Sequence, residues 1–368
     1  MKNKLSTIIL LSICAVAVAG CDKPTPAPVG GSDGGGSSGL STSAGGSGST
    51  NANDSLQGAV VVEGSSTVEP ISIKAREEFN KQYTKVNVSV SGQGTGNGFK
   101  ALANKECDFS DASRPIKAKE FKMCQEAGVN FVEAPVAYDG LTVVVNKDNK
   151  FVESLTIDQL KKIFREDMAA KKWSDVDASW PDKEISIYAP GIASGTHDYF
   201  VEVIGKKDNK GLRSDSQTLL SEDDKTLVTG VSQDEFSISF FGYSYFEANK
   251  DVLRAVPIVN PETDTAVAPS IATIESGEYA PFSRPLLIYI NTESYERLEV
   301  ETFVDFYLDN AAMLAKKARY VPLPQSIYDM VRDNLDQGKT GTHFLDAEGE
   351  KRSGGLEAVF KPENLRAQ

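Results

Sequence analysis

The sequence predicts an α/β protein with mainly parallel sheets, arranged as two lobes. Three observations carry this expectation. From Gly58 onward, short β-rich runs alternate with helical patterns, as strands joined through crossover helices do. The roughly 300 residues of this pattern exceed what one hydrophobic core comfortably fills. Finally, three strands end in Gly/Ser/Thr turns that open helices, which is where open parallel sheets bind their ligands.

The elements follow in order. AVVVEG (59–64) reads as a strand and VEPISIKAREEFNKQY (68–83) as its helix. KVNVSVSGQG (85–94) alternates like a strand, and GFKALANKE (98–106) is helical. FVEAPVAYDGLTVVVN (131–146) is strand-rich, and SLTIDQLKKIFRED (154–167) is an amphipathic helix capped by Ser154 or Thr156. EISIYAP (184–190) is a strand and THDYFVEVIG (196–205) a helix. SISFFGYSYF (237–246) and RAVPIV (254–259) read as strands, APSIATIESGEY (268–279) as a helix and PLLIYIN (285–291) as a strand. Two or three helices fill 296–335, and 336–368 reads as a polar C-terminal tail. The aromatic run FFGYSYF (240–246) and the tryptophans Trp173 and Trp180 are assigned to packing.

The N-terminus is a processing segment. Lys2 and Lys4 precede a run from Leu5 to Ala19 that is too short and wrongly flanked for a membrane span. AVAGC resembles a bacterial lipobox, with 1–20 as signal peptide and Cys21 as the lipid site. The plainer alternative is a secretory signal followed by a chance cysteine. Residues 22–57 are almost pure Gly, Ser, Pro, Thr and Ala, a composition that cannot bury enough apolar surface to order itself. A coil of that length reaches roughly 30–35 Å and serves as a tether.

Charge narrows the partners. The net charge is −13, and removal of Lys2 and Lys4 with the signal peptide takes it to −15. Nucleic acid is excluded as a partner, and so is an anionic membrane surface except through a lipid anchor. Any bound anion must be held by local donors. With His197 and His343 the only histidines and no Cys-x-x-Cys, neither a metal site nor a cofactor is expected. Cys107 and Cys124 remain after export, and one disulfide between them would contribute about 3 kcal/mol. Two free buried thiols are the alternative.

The informative turns are EGSSTVEP (63–70), SGQGTGNGF (91–99) and GIASGTHDYF (191–200). A helix N-terminus presents unpaired N–H groups and about half a positive charge, while Ser and Thr hydroxyls add donors. One such turn is ordinary capping, but three can surround a tetrahedral oxyanion. A cation stands nearby in CDFSDASRPIKAKEF (107–121), where Arg114 follows Ser113. Its guanidinium could grip an anion with two bonds, or pair instead with Asp111 or Glu120.

Together GSSTVEPI, GQGTGNGFKAL, CDFSDASRPIK, YDGLTVVVN and GIASGTHDYF, in this order, resemble the periplasmic phosphate-binding proteins of the Pst ABC importer. They are most similar to the Ser-Arg-Pro-bearing branch known from cyanobacteria and other bacteria. The resemblance runs from about 58 to about 335. It implies a two-lobed, cluster-type periplasmic-binding-protein fold with lobe I over 58–145, lobe II over 146–285 and a return to lobe I over 286–335. It also implies a monomer outside the cytoplasmic membrane that binds inorganic phosphate and delivers it to the membrane permease of a phosphate ABC importer, without catalysis. The contacts it implies are Ser66, Thr67, the backbone of Val68, Thr95, Gly96, Ser194, Gly195 and Thr196. Better-known members carry an arginine where this chain has Pro190, and an aspartate in the Ser113–Arg114 region. Arg114 is therefore expected as the replacement cation and Asp139 as the acceptor that reads the phosphate proton; a structural role is the alternative for Asp139. A carboxylate meets fully ionised sulfate lone pair to lone pair, which gives discrimination. The same fold holding another oxyanion, or serving as a phosphate-linked sensor, adhesin or esterase, is the alternative function.

GIASGTHDYF also holds Ser194, His197 and Asp198, the side chains of a hydrolytic triad. Triad members normally come from separate elements, and no Gly-x-Ser-x-Gly elbow is present. The segment reads as an anion loop.

Overall fold

The computed structural model describes residues 55–192, 194–205, 209–221 and 223–368. The signal peptide, Cys21 and nearly all of the proposed tether lie outside the described residues. Along the chain run β1 (Gly58–Gly64), α1 (Glu69–Phe79), β2 (Val86–Ser91), α2 (Thr95–Ala103), β3 (Phe109–Ala112), α3 (Ala118–Glu126) and β4 (Phe131–Asn146). There follow α4 (Ile157–Phe164), α5 (Trp173–Val176), β5 (Ser186–Pro190), α6 (Gly195–Gly205), β6 (Thr218–Ser221), α7 (Asp224–Gln233), β7 (Ser237–Gly242) and α8 (Tyr243–Glu247). Next are β8 (Leu253–Ala255), β9 (Ile258–Asn260), β10 (Thr265–Val267), α9 (Ile271–Glu275) and β11 (Ser283–Asn291). The chain closes with α10 (Thr292–Tyr295), α11 (Leu298–Asp309), α12 (Ala311–Lys317), α13 (Gln325–Asp336), β12 (Gly341–Thr342), α14 (Leu356–Val359) and β13 (Arg366–Ala367).

One long strand joins the two halves. β4 is 16 residues long and buried throughout. Its first part, Phe131–Gly140, pairs antiparallel with β11. Its second part, Leu141–Val145, pairs antiparallel with β7. The strand order is β2-β1-β3-β11-β4-β7-β5-β6, with β8 also on β4. β1 is parallel to β2 and β3, and β5 is parallel to β6 and β7. Lobe I is thus the β2-β1-β3-β11 side, and lobe II the β7-β5-β6 side. The register slips by one residue at Leu286/Leu287, where Leu287 faces Pro135. Proline has no N–H for the ladder, so a bulge there is the natural accommodation.

Each lobe has its own aromatic core. Phe79, Phe109, Phe303 and Tyr307 pack edge to face or stacked in lobe I. In lobe II, Phe200 stacks between Phe240 and Phe282 at centroid distances of 3.9 and 5.7 Å. Phe151, Trp173 and Trp180 form a second lobe II cluster, and Trp173 Nε1 donates to the Phe236 carbonyl at 2.9 Å. The aromatic run at 240–246 is core, although it bends from β7 into α8 at Gly242. α4 is capped by Thr156, not Ser154, in a reciprocal box with Gln159. The segment 254–259 divides into β8 and β9 around Pro257, and the helix expected over 268–279 shortens to α9.

Two expectations need correction. Cys107 and Cys124 are free, not joined in a disulfide. Each is packed into the hydrophobic core of lobe I. Burial pushes the Cys107 thiol up and the Cys124 thiol to about 12, so both are held in the unreactive protonated form. Nor do residues 336–368 trail as a polar tail. β12 pairs with β13, and His343, Phe344, Leu345 and Phe360 are buried. Glu133 of β4 anchors the segment, accepting from Thr342 Oγ1 at 2.6 Å and from the His343 backbone at 2.9 Å.

Candidate functional site

The strand-to-helix turns meet at a cleft. Ser65, Ser66 and Thr67 carry β1 into α1, and the Ser65 N–H is held by the Asp111 carbonyl at 2.9 Å. Gly64 leaves no room for a side chain, since a Cβ there would stand 2.1 Å from that same carbonyl oxygen. Gly94, at φ +98°, turns β2 into α2, a conformation that suits glycine. Thr95 Oγ1 accepts from the Ser113 N–H at 3.1 Å and lies 3.1 Å from Ser113 Oγ. The ends of β1, β2 and β3 therefore present Ser66, Thr67, Thr95, Gly96 and Ser113 to one cavity of about 220 Å3.

Arg284 completes this cavity, and sequence reasoning missed it. It stands directly opposite Asp139 in the β11–β4 ladder. Its Nε and Nη2 donate to Asp139 Oδ2 at 3.2 and 3.1 Å, and Nη2 also donates to Thr67 Oγ1 at 3.2 Å. The guanidinium lies 3.5 Å over the Tyr199 ring, a cation–π contact, and the Tyr199 hydroxyl is tied to the Pro281 carbonyl. The signal was in the chain: Ser283-Arg284-Pro285 repeats the tripeptide Ser113-Arg114-Pro115.

The remaining expected residues divide. Arg114 lines the cavity, with its guanidinium paired bidentately to Glu120 at 2.8 and 2.8 Å. Val68 is buried, and its N–H is used by the Ser65 carbonyl. Asp139 is buried behind Arg284 and does not reach the cavity wall. Burial pushes its carboxyl above the usual range, against the pull of Arg284. Ser194, Gly195 and Thr196 are not on the cavity wall. Gly195 instead packs on the first turn, where a Cβ would come within 2.8 Å of Thr67 Cα. The acids facing the cavity are Asp198 and Glu202, one helical turn apart on α6. Asp198 Oδ2 accepts from Ser66 Oγ at 3.4 Å across the cleft, and Glu202 Oε2 lies 3.5 Å from Arg284 Nη1.

The geometry is not that of a hydrolase. Ser194 Oγ accepts from the Thr196 N–H, while His197 Nδ1 lies 3.5 Å from Asp198 Oδ1 without making a hydrogen bond among the described residues. Among the described residues Ser194 Oγ is bonded to neither His197 nor Asp198, so the three do not form a relay. What remains is a set of hydroxyl groups beside the Arg114 and Arg284 guanidinium groups and the Asp198 and Glu202 carboxylates, an arrangement able to hold a partly protonated anion.

Comparison with known proteins agrees with this architecture. A model of the PBP superfamily domain matches residues 46–311. The chain belongs to the PBP superfamily. Among curated relatives, Protein SphX of Synechococcus elongatus is 44% identical over 83% of this chain and 89% of its own length. The phosphate-binding protein PstS of Staphylococcus epidermidis is 39% identical over 76% of this chain and 83% of its own length. Among solved structures, a possible phosphate binding protein from Planctomyces limnophilus superposes with a TM-score of 0.73 at 41% identity, covering 77% of this chain and 99% of that one. The two-lobed periplasmic-binding fold expected from the sequence is therefore the fold of this superfamily. No helix among the described residues is long and apolar enough to cross a membrane.

Proposed function

We propose that this PBP-superfamily protein captures inorganic phosphate between its lobes, outside the cytoplasmic membrane, and hands it to the permease of a phosphate ABC importer. The observation that carries the reading is the 220 Å3 cavity, where the ends of β1, β2 and β3 bring Ser66, Thr67, Thr95 and Ser113 hydroxyls beside Arg284. Its size suits one tetrahedral anion. One relative is named a phosphate-binding protein, and a solved structure with this fold is described as a possible one. The protein acts by stoichiometric binding, not turnover, and works as a monomer tethered through lipid at Cys21.

Within the site, Ser66, Thr67, Thr95, Gly96 and Ser113 donate to the phosphate oxygens. Arg284 supplies the fixed charge, while Arg114 exchanges its Glu120 partner for the ligand. Ser194, Gly195 and Thr196 seat lobe II against the first turn, and Asp139 orients Arg284 from behind. The phosphate proton is then read by Asp198 and Glu202, the carboxylates that face the cavity. Neutral donors explain how a strongly acidic protein holds an anion, since fixed dipoles gain strength when water is excluded.

Calorimetric titration of anion-stripped protein with phosphate and then sulfate tests the reading. One-to-one phosphate binding with little sulfate response is expected. Replacing both Asp198 and Glu202 by their amides should erode that preference by at least tenfold, because a meeting of lone pairs is removed. Absence of a phosphate response would overturn the proposed function.

A further inference from the structure

Away from the anion cavity, the lobes meet again at the end of α12. That helix closes with a double turn: the Arg319 N–H donates to the Lys316 carbonyl at 3.0 Å and the Tyr320 N–H to the Ala315 carbonyl at 2.9 Å. The turn sets Arg319 at φ +66°, the left-handed region where glycine is the usual residue at a helix end. An arginine there carries a conformational cost that glycine would not. What the position gains is a long cationic side chain directed at the other lobe.

Three consecutive residues here reach three parts of the molecule. Arg319 Nη1 donates to Asp224 Oδ2, in the first turn of α7, at 2.8 Å, and the guanidinium lies 4.6 Å over the Tyr245 ring of α8. Both partners belong to lobe II. The Tyr320 hydroxyl donates at 2.7 Å to the carbonyl of Thr67, in the first anion turn of lobe I. Val321 exchanges backbone hydrogen bonds with Tyr138 of β4 at 2.7 and 3.0 Å, close to where that strand passes from β11 to β7 at Gly140 and Leu141. Arg319, Asp224 and Tyr245 do not line the anion cavity. In the same structure the lobes touch across the cleft, with Ser66 Oγ 3.4 Å from Asp198 Oδ2 and Arg284 Nη1 3.5 Å from Glu202 Oε2. The Arg319 contacts therefore belong to an arrangement in which the lobes are together.

We propose that Arg319 is a positioning residue for anion capture, a latch whose ion pair with Asp224 and stacking on Tyr245 hold the lobes together around the bound anion. The proposal rests on the phosphate reading of the cavity and adds what sets the residence time there. Arg319 is exposed and Asp224 half-buried, so the latch is worth a modest factor, about 3- to 10-fold in affinity, as an exposed ion pair with a cation–π contact is. It acts on the population of the closed form. It therefore scales the affinity for every anion alike and leaves their ranking untouched. Because it forms as the lobes come together, it slows release and leaves association unchanged.

The test measures release of radiolabelled inorganic phosphate from the full chain, with calorimetry for phosphate and sulfate and the Tm of the anion-free protein. Arg319→Gly is the decisive variant, because it removes the latch and relieves the backbone at once. Release should quicken about 3- to 10-fold and the phosphate-to-sulfate ratio should hold, while the anion-free Tm stays level or rises. A residue that only stabilised the fold would lower that Tm and leave release alone. Asp224→Asn should quicken release too, and the double variant should release no faster than Arg319→Gly, since both changes break one contact. Arg319→Lys, which keeps the charge but not the stacking, should fall between wild type and Arg319→Gly. Should Arg319→Gly fail to fold, Asp224→Asn and Arg319→Lys still decide. Phosphate bound and released at the wild-type rate by these variants overturns the latch and leaves the phosphate reading standing. Effects of Arg319→Gly and Asp224→Asn that multiply in the double variant, or a shifted phosphate-to-sulfate ratio, also overturn it. A wild-type protein that binds no phosphate overturns both readings.

Discussion

Arg284 and Asp139 face each other across the β11–β4 ladder, and the guanidinium makes two bonds to one buried carboxylate oxygen at 3.2 and 3.1 Å. The pair stands where the two lobes share a strand, with Thr67 of lobe I at 3.2 Å and the Tyr199 ring of lobe II at 3.5 Å. One side chain therefore senses both lobes and the cavity between them.

Arg284→Lys keeps a charge but loses the fork and the stacking surface. Phosphate affinity should fall about 10- to 100-fold, the worth of one or two charged hydrogen bonds. Arg284→Ala should additionally lower stability by about 3–5 kcal/mol, because it strands the buried Asp139. Titration calorimetry and urea unfolding separate the two effects. Undiminished affinity in both variants would remove Arg284 from the site.

Gly195→Ala tests closure. Its Cβ would sit 2.8 Å from Thr67 Cα, a backbone atom that cannot step aside. Overpacking of this kind costs about 1–3 kcal/mol, and here it falls on the contact between lobes. Affinity should drop by roughly 5- to 150-fold with little change in the Tm of the anion-free protein. Small-angle scattering should show a more extended particle in phosphate than wild type. An unchanged affinity would mean that this contact is not part of closure.

Asp111 predicts a pH dependence of stability. It lies buried under the first turn, bonded to Ser72 Oγ at 2.8 and 3.0 Å, and burial pushes its carboxyl up to about 8 from an ordinary value of 3.8. Between those values the folded protein keeps a proton that the unfolded chain has released. Stability is therefore greatest below about pH 4 for this group, and declines by about 1.4 kcal/mol per pH unit until about pH 8. Asp111→Asn should flatten that slope in urea titrations from pH 5 to 8. Equal slopes in both proteins would refute the buried neutral acid.

Glu133 carries the C-terminal segment. It accepts from Thr342, His343 and Tyr289, and Tyr289 in turn accepts from the Ile116 N–H beside the Arg114 turn. Glu133→Leu leaves those buried donors without an acceptor and should cost about 2–5 kcal/mol. It should also raise hydrogen exchange over 341–345. Exchange unchanged there would mean that the segment is held by its apolar residues alone.

How much was legible follows from the range of each interaction. The Ser/Thr/Gly turns at 65–67 and 94–96 declared themselves because a turn is encoded by neighbours in the chain. The buried strands at 131–146 and 285–291 were equally plain from their apolar runs. Thr156 and Gln159 likewise form a cap from residues three apart. By contrast, the Arg284–Asp139 pair spans 145 positions, and no local pattern marks Arg284 as the partner of Asp139. Only the repeated Ser-Arg-Pro hinted at it. For Arg114 both an anion and Glu120 were open from sequence, and packing in lobe I placed Glu120 within reach. Whether Cys107 and Cys124 bond depended on where the core set them, and the buried ends of the C-terminal segment depended on Glu133 offering acceptors from a distant strand. The sequence by itself determined the fold class, the superfamily resemblance and the donor-rich turns, because those depend on short-range periodicity and hydrogen bonding. Tertiary structure decided which charges face the cavity and which face each other, because a side chain's partner is set by the register of strands far apart in the chain.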